Sequence, residues 1–229
     1  MIMLDIDDTL IDYSGAEKIA SLEFGKIFAS KIPNYNKIVF PNLWHELMLK
    51  YYQEFLDGRM SYHDQRRNRI RTIFQDQIMA NDQADDLYSI YKNIYEQNWK
   101  LFDDVIPFLE KYTNNGFVAI TDGQQAQQEN KLIKTGILKY FKTIITAEKT
   151  KFSKPNKEIF NIAIDYAKLK PNQCAYIGDN LEKDAIGAKN SGMIGIWLNR
   201  NSIKQIHNVI EITSLDNFHL LNIESNVTC

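Results

Sequence analysis

The sequence predicts an α/β core interrupted by an all-helical insertion, and three observations carry that prediction. Short apolar runs at Ile2–Ile6, Phe117–Ile120, Thr143–Thr146, Ala175–Ile177 and Ile194–Leu198 have the length of strands buried on both faces. From Val105 onward these runs alternate with helical stretches, the pattern of repeated strand–helix units in a parallel sheet with right-handed crossovers. From about Ser14 to Leu101 no such run occurs, and the apolar residues repeat with helical spacing instead.

Taken in order, Ile2–Ile6 forms the first strand and the chain then leaves the core. Ile19, Leu22, Ile27 and Phe28 fit one helix. Leu43, Trp44, Leu47, Met48, Tyr51, Tyr52 and Phe55 fit a second at i, i+3, i+4 spacing. Ser61 followed by Asp64 reads as the N-cap of a third. Leu87, Ile90, Tyr91, Ile94 and Tyr95 fit a fourth. The expected domains are 1–13 with 103–229 for the core and 14–102 for the helical insertion. Within the core, helices are expected over Ala126–Thr135, closed by Gly136, over Glu158–Lys168, closed before Pro171, and over Glu182–Ser191, closed by Gly192.

The chain has 229 residues, 44% of them hydrophobic, and a formal net charge of −2. A near-neutral balance argues against a general binder of nucleic acid or anionic membranes, which would carry a basic excess. No segment approaches the uninterrupted apolar length of a membrane span. Two cysteines, Cys174 and Cys229, make no disulfide framework; Cys174 opens an apolar run and reads as a buried free thiol, and Cys229 as a frayed terminus. With no basic leader or signal-length apolar stretch at the N-terminus, a cytoplasmic protein is expected. His45, His63, His207 and His219 are scattered without metal-ligand spacing, so histidine chemistry is not supported.

Ligands of open parallel sheets sit beyond the carboxyl ends of the strands. The residues just beyond each apolar run are therefore informative. After the first run come Asp5-Ile6-Asp7-Asp8-Thr9; after the Phe117 run, Thr121-Asp122-Gly123; after the Ala175 run, Gly178-Asp179-Asn180, with Asp184 five residues beyond Asp179. Ser153-Lys154-Pro155 precedes the Glu158 helix. A hydroxyl, a lysine and several carboxylates thus converge on one sheet edge. This set, in this order and over essentially the whole chain, resembles the haloacid dehalogenase superfamily, whose four motifs are matched by Asp5-x-Asp7-x-Thr9, Thr121, Lys154 and Gly178-Asp179-x-x-x-x-Asp184. The resemblance implies a Rossmann-like core and makes the helical insertion a cap domain.

The chemistry expected of these residues is phosphate monoester hydrolysis. Asp5 is the candidate nucleophile, forming an aspartyl-phosphate and splitting one difficult step into two. A carboxylate attacking a phosphate needs a bridging cation; Mg²⁺ prefers oxygen ligands, here Asp5, Asp179 and, by resemblance, the backbone carbonyl of Asp7. Asp184 and Asn180 are expected to order metal-bound waters. Asp7, two residues from Asp5 in extended chain, would lie on the same side and serve as general acid and base. Thr121, the Asp122-Gly123 turn and Lys154 would bind the phosphoryl group. Plainer readings exist: Thr121 as an ordinary strand end, Lys154 as a surface lysine, Asp122 as a turn former and Asp184 as a helix-dipole acid. Arg66-Arg67-x-Arg69-x-Arg71 runs around a helix and is expected to form a solvated face. The aromatic residues of the insertion are expected mostly in its core.

The expected partner is a small phosphate ester, with the protein a monomer or homodimer. Trp197-Leu198-Asn199-Arg200 and the Gly178–Asp184 run look like the subgroup holding 5′-nucleotidases and N-acylneuraminate-9-phosphatase. The competing readings are a haloacid dehalogenase, which needs neither an acid for an alkoxide nor a metal, a phosphomutase, and a non-catalytic binding module, which should have lost a motif residue.

Overall fold

The computed structural model describes residues 1–206 and 208–220, apart from the side chains of Asn115, His219 and Leu220. His207 and Cys229 lie outside the described residues, as does the side chain of His219. The chain forms two compact units. One comprises residues 1–12 and the described residues from Lys100 onward; the other is Tyr13–Trp99. No helix among the described residues is long and apolar enough to cross a membrane.

The first unit is built on β1 (Ile2–Leu4), β2 (Phe117–Thr121), β3 (Phe141–Thr146), β4 (Ala175–Gly178), β5 (Ile194–Leu198) and β6 (Ile210–Ile212). They pair in parallel, in the order β3-β2-β1-β4-β5-β6. Met3 stands opposite Val118 on one side and Tyr176 on the other. The chain steps from β1 outward to β2 and β3, then crosses back to place β4 on the far side of β1. That reversal opens a crevice at the carboxyl ends of β1 and β4.

The central strands are buried on both faces, which is why their sequences read as continuous apolar runs. On one face Met3, Val118, Ile120 and Tyr176 pack on Phe160 and Ala163 of α8 (Lys157–Ala167), which follows the single turn α7 (Ala147–Thr150). Phe117 contacts Phe108 of α5 (Val105–Lys111), and Phe108 in turn contacts Phe218. Each such side chain contributes about 1.5–3 kcal/mol on burial. The crossings that leave and re-enter this unit are joined: Asp12 N–H donates to the Lys100 carbonyl at 3.0 Å and Phe102 N–H to Leu10 at 3.1 Å.

Two core expectations need correction. The sixth strand, β6, was not expected; its three residues follow a polar stretch and are too few to show a periodicity. The helix expected over Glu182–Ser191 is instead a π-helix at Leu181–Ile186 followed by α9 (Gly187–Asn190). The wider first turn accompanies an Asp184 side chain folded back onto the end of β4. Cys174 is a buried free thiol, as expected, and burial pushes its pKa up.

The second unit holds α1 (Tyr13–Ile27), α2 (Phe40–Leu56), α3 (Tyr62–Phe74) and α4 (Asn81–Gln97). Ser61 caps α3, its hydroxyl accepting from Asp64 N–H at 3.1 Å. The buried face of α1 is not the expected one. Ala16, Ala20 and Phe24 are buried, whereas Ile19 and Ile27 are exposed. On the same side a Cβ at Gly25 would lie 2.6 Å from the Tyr35 ring, and Phe24 meets the rings of Phe28, Trp44, Phe74 and Tyr91.

The arginine run of α3 is not a solvated face either. Arg69 is buried and donates to Gln65, Arg67 pairs with Asp85 and Asp64, Arg66 lies over the Tyr62 and Tyr88 rings, and Arg71 donates to the Met79 carbonyl. Guanidinium planes can lie on aromatic rings and satisfy carboxylates across helices, so a run of arginines need not face water.

Candidate active site

The site is assembled where β1, β2 and β4 end. Asp5 follows β1 immediately and its N–H still pairs with the Ile177 carbonyl at 2.9 Å, so its Cα is fixed by the sheet. Its two carboxylate oxygens are held by different elements. Oδ1 accepts from Lys154 Nζ at 2.6 Å, and Oδ2 from the Thr9 hydroxyl at 3.2 Å. That hydroxyl also accepts from Asp179 N–H at 3.0 Å, tying the loop after β1 to the loop after β4. The indole of Trp197 on β5 donates to the Asp179 carbonyl at 2.8 Å and fixes the same loop from the other side.

Lys154 is buried and its ammonium is fully engaged. Besides Asp5 it contacts Asp184 Oδ1 at 2.7 Å and the Tyr176 hydroxyl at 3.1 Å. Three acceptors for three protons leave it no freedom to turn away. The Lys154 N–H donates to Asp122 Oδ1 at 2.8 Å, so Asp122 anchors the lysine loop rather than only forming a turn. Thr121 is buried at the end of β2, and its hydroxyl oxygen accepts from Gly123 N–H at 3.2 Å. That amide therefore shapes the turn locally. Asn180 caps the π-helix through Lys183 N–H and donates its own N–H to Asp184 Oδ2 at 3.0 Å.

Electrostatically the site is under-neutralised. Burial is the largest influence on Asp5; Lys154 pulls its pKa down, Asp184 and Asp7 push it up, and it comes to rest at about 7. Burial again leads at Asp179, followed by repulsion from Asp5, Asp184 and Asp8, and pushes that carboxyl up to about 8. Burial alone would lower the pKa of Lys154, but Asp184 and Asp5 reverse this and hold it well above the ordinary lysine value.

Asp5, Asp179 and Asp184 each offer an oxygen within 4.8 Å of the other two. The Asp179 carboxylate receives no hydrogen bond or ion pair among the described residues. A clustered, oxygen-only donor set containing one unpartnered acid fits a hard divalent cation.

Asp7 stands apart from this cluster. Lys131 of α6 (Gln125–Lys134) reaches its Oδ1 at 2.5 Å, and Gln128 donates to Oδ2 at 2.8 Å. Neither residue was expected at the site. The signal was present as two polar side chains three apart on the buried face of α6, but it is indistinguishable from ordinary amphipathic patterning without the fold. Tyr176 was hidden in the same way, as one residue of an apolar run.

The model of the haloacid dehalogenase-like hydrolases matches residues 1–192. The chain belongs to this family. Relatives extend over nearly its full length. A HAD-hydrolase of Bacillus subtilis, YfnB, is 27% identical over all of this chain and 97% of its own. Mouse N-acylneuraminate-9-phosphatase is 27% identical over 87% of this chain and 82% of its own. The crystal structure of YfnB bound to magnesium has the same fold, with a TM-score of 0.79, 24% identity and coverage of 97% of this chain and 98% of that one. A 2-haloacid dehalogenase from Pseudomonas syringae shares it too, with a TM-score of 0.70, 23% identity and 96% coverage of both chains. Fold likeness of this kind spans both phosphatases and dehalogenases, so the choice between them rests on the site.

Proposed function

We propose that the protein is a Mg²⁺-dependent phosphatase of small phosphate monoesters, acting through an aspartyl-phosphate on Asp5. The observation that carries this reading is the pairing of an under-neutralised carboxylate cluster around Asp5 with a separately held second acid, Asp7. Displacement of a halide needs a nucleophile alone; cleavage of a phosphate ester needs a proton for the leaving oxygen and extra positive charge at the phosphoryl group.

In the proposed reaction, Asp5 attacks phosphorus and the P–O bond to the alcohol breaks. The departing oxygen takes a proton from the Asp7 carboxyl. A water then attacks the aspartyl-phosphate and gives a proton back to Asp7. The bond between phosphorus and Asp5 breaks, leaving inorganic phosphate and the original carboxylate. Asp5 and Asp179, with the Asp7 backbone carbonyl, would hold Mg²⁺, and Asp184 and Asn180 would order its waters. When bound, the ion supplies the positive charge that lets two anions approach. The Thr121 hydroxyl and the backbone amides of the Asp122-Gly123 turn would bind the phosphoryl oxygens, and Lys154, held on Asp5, would offset the charge where nucleophile and phosphate meet. The helical unit, Tyr13–Trp99, follows Asp5 and Asp7 directly in sequence and would take the part of the cap that the family resemblance implies. The chain's similarity to N-acylneuraminate-9-phosphatase, and to an Escherichia coli pyrimidine 5′-nucleotidase, makes sugar phosphates and nucleoside monophosphates the substrates to screen first.

The purified protein should release phosphate from p-nitrophenyl phosphate in Mg²⁺ and stop in EDTA. Asp5→Asn should reduce turnover to background while the protein stays folded. Full activity in Asp5→Asn refutes the covalent mechanism, and halide release from a 2-haloacid without phosphatase activity favours the dehalogenase reading.

A further inference from the structure

The position of Asp7 is bought with three concessions elsewhere in the sequence. Gln128 and Lys131 sit on one face of α6 and are each only 1% exposed. Burying an amide and an ammonium is costly unless both are satisfied. Gln128 is not fully satisfied, since its Oε1 has no hydrogen-bond partner among the described residues. Its bond to Asp7 is what the burial achieves.

The third concession is Gly123. A Cβ at that position would lie 1.9 Å from Gln128 Nε2 and 2.7 Å from its Cδ. Only glycine lets the Gln128 side chain pass the turn after β2 and reach Asp7. Each Asp7 oxygen then has its own donor, which fixes the plane of the carboxylate. Its side chain nonetheless keeps 29% exposure. The donors thus hold the group and leave a side open.

We propose that Gln128 and Lys131 are positioning residues that aim Asp7 at the ester oxygen, with Gly123 clearing the way. This rests on the assignment of Asp7 as general acid. A carboxyl free to rotate would meet the leaving oxygen only part of the time, and a misplacement of about 1 Å can cost about 10²-fold. The consequence is selective. An alkoxide cannot depart without a proton, whereas p-nitrophenolate can. α6 therefore sets the enzyme's relative activity on poor and good leaving groups.

The test compares kcat/KM for propyl phosphate and p-nitrophenyl phosphate, a parameter that covers the steps through departure of the alcohol. In Lys131→Met and Gln128→Leu, the alkyl-to-aryl ratio should fall by about 10-fold or more, in the direction of Asp7→Asn, whose general-acid contribution lies in the range of about 10²–10⁴. Lys131→Arg should restore most of the ratio. A residue that only stabilised the fold would lower both rates in proportion. If Lys131→Met does not fold, Gln128→Leu and Gly123→Ala carry the same test. A ratio unchanged in the α6 variants but lowered in Asp7→Asn overturns this inference and leaves the phosphatase reading standing. A ratio unchanged in Asp7→Asn as well removes the acid/base assignment, and absence of phosphatase activity in the wild type removes the reading itself.

Discussion

Lys154→Met keeps the side-chain stem and removes the ammonium that lies 2.6 Å from Asp5 and 2.7 Å from Asp184. Both acids are more than nine-tenths buried, so no solvent is at hand to screen the charge left behind. Removing one partner of a buried ion pair costs about 3–5 kcal/mol. For a chain of this size each kcal/mol moves Tm by about 2–4 °C, so a fall of roughly 10 °C is expected in the absence of metal. The sign of the pH dependence is set by Asp5, which sits at about 7 even with the lysine present. A carboxyl whose folded pKa lies above its unfolded value stabilises the fold below the unfolded pKa, and that contribution is lost as pH rises through the folded one. Without the lysine the Asp5 pKa moves higher still. The gap between variant and wild type should therefore be small at pH 5 and largest at pH 8, and millimolar Mg²⁺ should narrow it. Thermal melts at both pH values, with and without Mg²⁺, measure this. A variant that melts with the wild type at pH 8 without metal, or a gap widest at pH 5, refutes the electrostatic account.

Three further outcomes are expected. In Gly178→Ala the new Cβ would stand 2.4 Å from Asp184 Oδ2, so Asp184 must shift; a stability loss of about 1–3 kcal/mol should accompany weaker Mg²⁺ binding by calorimetry. Tyr176→Phe removes the hydroxyl that donates to the Ile120 carbonyl at 2.8 Å and accepts from Lys154; chemical denaturation should show about 1–3 kcal/mol lost, and steady-state kinetics a fall in kcat rather than a rise in KM. Arg200 holds Asp104 through two 2.9 Å bonds and the Thr9 carbonyl at 2.8 Å. Burial works to raise the Asp104 pKa, but hydrogen bonds from Arg200, Ser214 and the Leu215 amide outweigh it and hold the carboxyl below its ordinary value. Its stabilisation is therefore present above the unfolded carboxylate pKa and lost as pH falls through the folded one; Asp104→Asn should flatten the acid limb of a stability–pH curve, and an unchanged limb counts against the pair.

Much of the core was legible because a parallel strand buried on both faces is an apolar run, and such a run followed by acids marks a strand end. Ile2, Phe117, Ala175 and Ile194 open strands where the sequence placed them. The helical unit was legible as helices but not in its faces. Ile19 and Ile27 are apolar and exposed, while Ala16, Ala20 and Glu17 are buried beside Phe24, so the large apolar residues of α1 do not by themselves mark its inward side. Arg69 is buried for a related reason: aromatic rings and an amide accommodate it where composition suggested water.

By itself the sequence determined the residue types at the strand ends and the order in which they come: Asp5 and Asp7, Thr121, Lys154, Asp179 and Asp184. Those are local facts, set by where apolar runs stop. Only the tertiary structure decided how the charges are shared. It gave Lys154 to both Asp5 and Asp184, left the Asp179 carboxylate without a partner among the described residues, and brought Lys131 and Gln128 to Asp7 across more than 120 residues of chain. The physical reason is that electrostatic partnership depends on separation in space and on burial, and neither is written in the spacing of residues along one chain.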